Sequence, residues 1–355
     1  MKRAYYIGLD AHKLTCEIAV VRENGQLVKR MECRTAIDQL AALLQTVPRP
    51  RYLCFEEGPM ADWLWRNLKW CMDDVTVCDP FRNHLIAKEG EKDDPIDAGK
   101  LADLFRGGFV KAVHHPESFE QALFKQHVQL YHDRVRHRVA EAHRLSSLLR
   151  RHGIMVRANS FDNAEHWAKV VEQLPKYKTL REDIDLLWQA FAAATAQEKT
   201  MRRRLQQHCK NYDVIRRFTD VPGIAWVRAA TLYVFLDTPW RFRSKQALWK
   251  YLGIGLERRG SGAGPMLLQV PKRVNRLLKS TILGAAKTAA ALKDNPYAVQ
   301  YRRYIENGLT KRLARRSVAR SLAATLWGLW KNGSAYCPEW VGVAAAAMRA
   351  AEVSL

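Results

Sequence analysis

Five acidic side chains occupy positions from which they could bind a divalent cation. They are Asp10, Glu56, Glu57, Asp94 and Asp97. Asp10 ends an apolar stretch of strand-forming residues, the two glutamates end a second such stretch, and the last two aspartates open a predicted helix. Carboxylate oxygens are the ligands that hard cations such as Mg²⁺ prefer, so these residues could support metal-dependent chemistry on phosphate.

The spacing of these carboxylates limits which of them can share one site. Side chains alternate across a strand, so only one of Glu56 and Glu57 can face the same way as Asp10. Asp94 and Asp97 are three residues apart and lie on one face of a helix. Structural alternatives exist: Asp10 could simply end its strand, and the two later aspartates, with a proline between them, could cap a helix.

The segments around the acids predict an α/β domain. Strands are expected at residues 4–10, 15–21, 27–33, 52–56 and 75–78, and helices at 36–44 and 61–69 and from Asp94 onward. Asn24-Gly25 marks a tight hairpin turn between the second and third strands. The acids occur in a fixed order along the chain: first at the ends of two strands and then at the start of a helix. This is the arrangement of the RNase H-like nuclease fold, in which carboxylates hold Mg²⁺.

Beyond residue 115 the sequence is mainly helical. Apolar residues recur at spacings of four and three from Phe124 to Leu149 and again from Ile184 to Leu205. Two long helices with a connection over residues 154–177 predict an antiparallel coiled coil or a dimerisation arm. The expected division is an α/β domain at residues 1–115, a coiled-coil region at 116–210 and an all-α domain at 211–355.

Two segments of the third region could touch DNA. Val221-Pro222-Gly223-Ile224 is typical of a helix–hairpin–helix turn, whose N–H groups bind phosphate, or of an ordinary glycine turn between helices. Ser261 lies in a glycine-rich loop where DNA could approach the backbone closely. This serine would need a base or a metal to become nucleophilic, and alternatively it belongs to a flexible turn.

The positive charge is unevenly distributed. Through Lys111 the chain has 17 Lys and Arg and 17 Asp and Glu, so the later residues carry the whole net charge of +22. Such a surface attracts a polyanion, because neutralised phosphates release counterions, although solubility or an acidic membrane are alternatives. The cations expected to contact nucleic acid are Arg258, Arg259, Lys272, Arg273, Lys311, Arg312, Arg315 and Arg316.

Other classes of protein are disfavoured. No apolar run is long enough for a membrane span, and the start reaches an acid too soon for a signal peptide. The seven scattered cysteines include no CxxC pair, which argues against a zinc site or disulfides and favours the cytoplasm. No glycine-rich phosphate loop supports an actin-like ATPase.

Taken in order, these motifs resemble the DEDD-type transposases of the insertion-sequence family IS one-ten (IS110), with its IS eleven-eleven branch and the Piv-type invertases. The segments that carry the resemblance are Ile7-Gly8-Leu9-Asp10-Ala11-His12-Lys13, Cys54-Phe55-Glu56-Glu57-Gly58-Pro59, Lys92-Asp93-Asp94-Pro95-Ile96-Asp97-Ala98, Val221-Pro222-Gly223-Ile224, and Leu252-Gly253-Ile254 followed by Ser261-Gly262. The similarity spans nearly the whole chain.

The resemblance implies an RNase H-like (RuvC-like) domain joined by a coiled coil to a C-terminal transposase domain. It implies that Asp10, Glu56, Asp94 and Asp97 bind Mg²⁺ and that Ser261 forms a phosphoserine–DNA intermediate. It further implies a non-coding bridge (seeker) RNA that pairs with donor and target DNA, and homodimers that pair into a tetramer. The expected function is an RNA-guided transposase. The alternatives are a structure-selective nuclease of the Holliday-junction type and a non-catalytic nucleic-acid-binding protein.

Overall fold

The computed structural model describes residues 4–81, 94–156, 161–259, 267–271, 273–339 and 341. The side chains of residues 94–96, 164, 258, 259, 267 and 268 lie outside the description. The chain divides into two compact units, Met1–Glu117 and Ser118–Leu355, and each is described by itself. Among the described residues, no helix combines the length and apolarity needed to cross a membrane.

The first unit is built on a five-stranded mixed sheet. Its strands are β1 (Tyr5–Ala11), β2 (Thr15–Arg22), β3 (Leu27–Arg34), β4 (Arg51–Glu56) and β5 (Asp74–Cys78). The strand order is β3-β2-β1-β4-β5. The first three strands form antiparallel pairs, whereas β4 is parallel to both β1 and β5. Gly25 has a φ of 86° in the β2–β3 turn, as the Asn-Gly dipeptide predicts.

Helices cover both faces of this sheet. They are α1 (Ile37–Gln45), α2 (Ala61–Leu68) and α3 (Asp94–Arg106), with a 3-10 turn at Lys69–Cys71. Residues of α1 and α2 share a core with Ile7 and Leu9 on one face of β1. On the opposite face, Leu101 and Phe105 of α3 pack with Cys54 and Cys78. The α/β architecture predicted for this region is confirmed, and helices pack on both faces of the sheet, although most residues of β3 are exposed.

Two long helices open the second unit. These are α4 (Phe119–Arg151) and α6 (Lys178–Cys209), which are antiparallel because Arg138 pairs with Glu198 while the rings of His127 and His208 lie 5.1 Å apart. A short helix, α5 (Ala164–Glu172), lies within the segment that the sequence indicated only as a connection. Its N-cap Asn163 accepts two backbone N–H groups, and its nine residues are too few for a clear apolar period.

The rest of the second unit is mainly helical. The elements are α7 (Asp213–Thr219), α8 (Trp226–Leu236), α9 (Lys245–Tyr251), β6 (Glu257–Arg259), β7 (Leu267–Gln269), α10 (Arg276–Ala291), α11 (Pro296–Glu306) and α12 (Lys311–Asn332). Helix α10 begins at Arg276, with Asn275 as its cap. A two-stranded ladder, β6–β7, borders the segment expected to be only a loop.

One continuous core joins the ends of the long helices to the C-terminal helices. It contains Phe124 and Val128 of α4 and Leu205 of α6, together with buried residues of α8, α10 and α12. The boundary expected between residues 210 and 211 therefore falls inside this core, and the three-domain division stays a prediction. All seven cysteines are free thiols in the structure.

Candidate active site

Asp10 and Glu56 end two neighbouring parallel strands at the same edge of the sheet. The register of β1 and β4 aligns Leu9 with Phe55, so the next residues along are Asp10 and Glu56. Aligned residues of parallel strands point to the same face, and neighbouring strands are about 4.8 Å apart. The backbone thus brings these two carboxylates side by side. Glu57 lies beyond the end of β4, where its N–H donates to the carbonyl of Cys78 at 2.9 Å.

Helix α3 lies against this same face because Gly8 has no side chain. A Cβ atom on Gly8 would stand 2.2 Å from the carbonyl oxygen of Ala98 and 2.7 Å from the amide nitrogen of Ala102. Gly8 and Asp10 are two residues apart in one strand, so both face the helix. A side chain larger than hydrogen would therefore push the helix away from the sheet.

The direction of α3 brings its first turn to the acidic edge. Phe105, near the end of the helix, packs edge-on against Tyr6 near the beginning of β1, with 5.8 Å between ring centroids. The helix consequently runs antiparallel to β1, and its start lies over the strand's carboxyl end, where Asp10 is. The side chain of Asp97 is exposed in this first turn. Asp94 begins the helix, and its side chain lies outside the described residues.

Two further glutamates that the sequence analysis missed extend the row of acids. Cross-strand pairing aligns Asp10 with Glu17 and Glu17 with Glu32. Glu17 is half-buried and Glu32 is exposed. Opposed residues of an antiparallel pair share a face, so one row of carboxylates crosses four adjacent strands. The Asn-Gly turn could have revealed the pairing of Glu17 with Glu32, whereas the alignment of Glu17 with Asp10 depends on the separate connection between β1 and β2.

His12 is a second neighbour of Asp10 that was not predicted. Its Nε2 atom lies 3.2 Å from Oδ2 of Asp10, and the two side chains are 47% and 29% exposed. A hydrogen bond at this distance orients one oxygen of the Asp10 carboxylate.

The donor set suits a hard divalent cation, since it consists of carboxylate oxygens at one sheet edge. Within the described ranges, no three His, Cys, Asp or Glu side chains converge closely enough to hold an ion. The described side chains therefore supply neighbouring carboxylates rather than a closed cage. An incoming cation would relieve the repulsion between adjacent negative charges.

The segment that carries the candidate serine is anchored at both ends, although Ser261 itself lies outside the described residues. Strands β6 and β7 pair on either side of residues 260–266. Before β6, the buried Ile254 accepts a hydrogen bond from Nε of Arg320 at 2.9 Å. Gly253, with a φ of 70°, packs so closely on Val274 that a Cβ atom would stand 2.8 Å from it.

The predicted nucleic-acid contacts differ in exposure. Arg273, Lys311 and Arg312 are exposed, whereas Arg315 and Arg316 are half-buried. Nε of Arg316 is buried without a hydrogen-bond partner in the described part of the chain. Burial, and then the positive charge of Arg312, lower the pKa of Arg316. The side chains of Arg258 and Arg259, and Lys272 as a whole, lie outside the described residues.

Comparison with known proteins identifies relatives for both units. Residues 7–154 match a DEDD-type family of the IS110 kind described as "Transposase", and residues 215–302 match "Transposase IS116/IS110/IS902 family". The chain is also 24% identical over 298 residues to "Putative transposase y4qE" of Sinorhizobium fredii (strain NBRC 101917 / NGR234). That alignment covers 81% of this chain and 72% of the relative. A DEDD-type domain implies dependence on a divalent metal ion.

Proposed function

From the premise that this chain is a transposase of the IS110 family, we propose that it cuts and rejoins DNA with four carboxylates and a serine. The carboxylates are Asp10, Glu56, Asp94 and Asp97, and the nucleophile is Ser261. One observation carries the proposal: β1 and β4 end with adjacent acids directly under the beginning of α3. Secondary structure alone would not require acids at all three of these ends.

In the proposed cleavage step, the Ser261 hydroxyl oxygen attacks a DNA phosphorus atom. A bond forms between serine oxygen and phosphorus, the bond to the leaving deoxyribose oxygen breaks, and the hydroxyl proton passes to a carboxylate. Mg²⁺, when bound by the four acids, would polarise the phosphate and stabilise the leaving oxygen. Rejoining reverses the step, with a hydroxyl of another DNA strand displacing the serine and conserving the phosphodiester energy.

The proposed partners follow from charge and from the resemblance. Residues beyond Lys111 carry the net charge of +22, which suits binding to donor and target duplex DNA. The exposed Lys311 and Arg312 at the start of α12 are suited to phosphate oxygens. By its resemblance to the family, the protein would take a non-coding guide RNA and act as a tetramer of paired dimers, in which serine and acids meet from different subunits.

Covalent trapping tests the chemistry. The wild-type protein, incubated with Mg²⁺, end-labelled DNA of its own element and its co-purifying RNA, should give a protein–DNA adduct that resists denaturation. Ser261→Ala should give no adduct, and Asp10→Asn should lose at least about a hundredfold in yield, the scale of an electrostatic catalytic group. Ser280→Ala is the matched control, because that exposed hydroxyl only donates to the carbonyl of Leu277.

The rival functions give different results in the same assay. If Ser261→Ala still cuts DNA at the wild-type rate, water is the nucleophile and the protein is a nuclease. If Asp94→Asn keeps every activity, the acids are structural and the protein is a binder. Guidance by RNA is tested by sequencing the RNA that co-purifies with the protein, removing it with ribonuclease and adding it back. Recombination that is unchanged after the RNA has been removed would contradict guidance by RNA.

A further inference from the structure

A strongly positive face lies on helix α6 and includes none of the cations predicted from the sequence to bind nucleic acid. Lys199, Arg202 and Arg203 are followed by Gln206, a spacing that brings all four to one side of the helix. All four side chains are exposed. Residues 199–212 include no acid. No carboxylate of the described residues forms an ion pair with any of these three cations.

The nearest acid on the helix is already neutralised. Glu198 pairs with Arg138 of α4, on the side where the two long helices meet. The positive charge of the exposed face is therefore not compensated by its own helix. Exposed cations of this kind attract a polyanion more strongly than isolated surface lysines, because their fields add over one surface.

Two adjoining clefts connect this face to the turn between α7 and α8. The first, of about 590 Å³, is lined by the four exposed side chains and by Trp226. The second, of about 630 Å³, is lined by residues 219–226 together with Arg228, Thr288 and Leu292. Trp226 borders both clefts, so the two adjoin at this residue within the second unit.

Arg228 adds a fixed cation to the second cleft. Its Nη1 atom donates to the carbonyl of Gly223 at 2.7 Å and to the hydroxyl of Thr288 at 3.0 Å. It forms no ion pair with a described carboxylate. The acid on the cleft wall, Asp220, is exposed at the end of α7. The two clefts together therefore hold four cations and one acid.

We propose that Lys199, Arg202, Arg203 and Arg228 form a binding surface for the phosphate backbone of duplex DNA. The inference rests on the proposed function and specifies where DNA lies on the unit that contains Ser261. The duplex backbone is favoured over a single strand because Trp226 is the one aromatic side chain in the described lining of the two clefts, and Arg202 lies over its ring at 5.8 Å. Binding of successive unpaired bases needs a series of aromatic platforms, which this lining does not supply.

The test measures DNA affinity without catalysis. A fluorescent duplex is titrated in EDTA over a series of salt concentrations. Replacing Lys199, Arg202 and Arg203 together by Gln should reduce the slope of log affinity against log salt by about 3, or about 0.9 for each phosphate that is no longer neutralised. Arg228→Gln should weaken binding about tenfold, as expected for a charge-assisted hydrogen bond.

A charge-matched variant controls for net charge. Replacing Arg150, Arg151 and Lys169 by Gln removes the same charge from exposed positions near the far end of the long helices. Arg150 is twelve residues beyond Arg138, about 18 Å along the helix. This variant should keep a wild-type slope. Replacing Arg202 and Arg203 by Lys conserves the charge and should also keep the wild-type slope. Unfolding midpoints equal to that of the wild type would show that the variants are folded, so that a change of slope reports the lost charge.

The outcomes separate this inference from the proposed function. Equal losses of DNA affinity in the α6 variant and in the Arg150, Arg151 and Lys169 variant would refute the surface. A loss of affinity in the α6 variant that is confined to single strands or to duplex RNA would also refute it. A wild-type adduct yield with an unchanged salt slope in the α6 variant would refute the surface alone. A wild-type protein that forms no adduct, but whose variants lose DNA affinity as expected, would refute the serine mechanism and leave the surface standing.

Discussion

Replacing Gly8 by Ala should displace the helix that brings Asp94 and Asp97 to the acidic edge. The added Cβ would stand 2.2 Å from the carbonyl oxygen of Ala98, which is backbone and cannot rotate away. Restoring a normal van der Waals separation requires a shift of about 1 Å. Displacements of that size at an active site cost about a hundredfold in rate, and the overpacking should cost about 1–3 kcal/mol in free energy of unfolding.

The assay is recombination of the element from a reporter plasmid, with urea unfolding measured on the same preparations. Gly99→Ala is the matched control on the same helix, because its Cβ would meet only Nη2 of Arg30 at 3.8 Å. It should recombine normally and gain about 0.5–1 kcal/mol of stability, the usual preference for Ala over Gly in a helix.

A double variant tests the cause of the loss. If Gly8→Ala acts by displacing Asp97, adding Asp97→Asn should lower recombination little further, because both changes disable the same group. Fully multiplicative losses would show that the glycine acts elsewhere. A folded Gly8→Ala protein that recombines at the wild-type rate would refute the assignment of α3 as the element that positions the helix carboxylates.

Two further predictions concern stability. Burial lowers the pKa of His132 to about 4. Between pH 4 and pH 6.5 the unfolded chain therefore binds more protons at this residue than the folded chain does. The free energy of unfolding should consequently fall by at most about 3 kcal/mol as the pH drops from 6.5 towards 4. Urea titrations should show a smaller loss in His132→Gln, and an equal loss in both proteins would contradict this. Gly223→Ala, at φ 84° and with its Cβ 2.4 Å from the oxygen of Ala285, should cost about 2–4 kcal/mol of unfolding free energy. Gly308→Ala, at φ 81° in open space, should lose only about 1 kcal/mol, and equal losses in the two glycine variants would show that the close approach is irrelevant.

Most elements of the first unit were predictable because their signals are local. Alternation in β1 and β2, the Asn-Gly turn and the acid-opened start of α3 each depend on a few consecutive residues. Helix α5 was missed because nine residues with Asn163 as their cap give too short an apolar pattern. The β6–β7 ladder was missed because three-residue strands gain their stability from pairing rather than from sequence preference.

The candidate site divides in the same way. Residue type and order alone identified Asp10, the pair Glu56 and Glu57, Asp94 and Asp97 as acids at the ends of strands and at the start of a helix. Tertiary structure decided that Glu56 rather than Glu57 is aligned with Asp10, because that depends on the register between two strands that are distant in the chain.

The sequence by itself determined the charge asymmetry, the two long helices and the candidate acids. Each of these follows from composition or from the spacing of residues that are close together in the chain. Only tertiary structure decided that Glu17 joins the row of carboxylates, that Gly8 allows α3 to approach, and that the cleft lined by the α6 cations adjoins the cleft lined by Arg228. Each of these features is a contact or an alignment between residues that are distant in the chain. Such contacts depend on how strands pair and how helices pack, and the local preferences of the residues do not specify them.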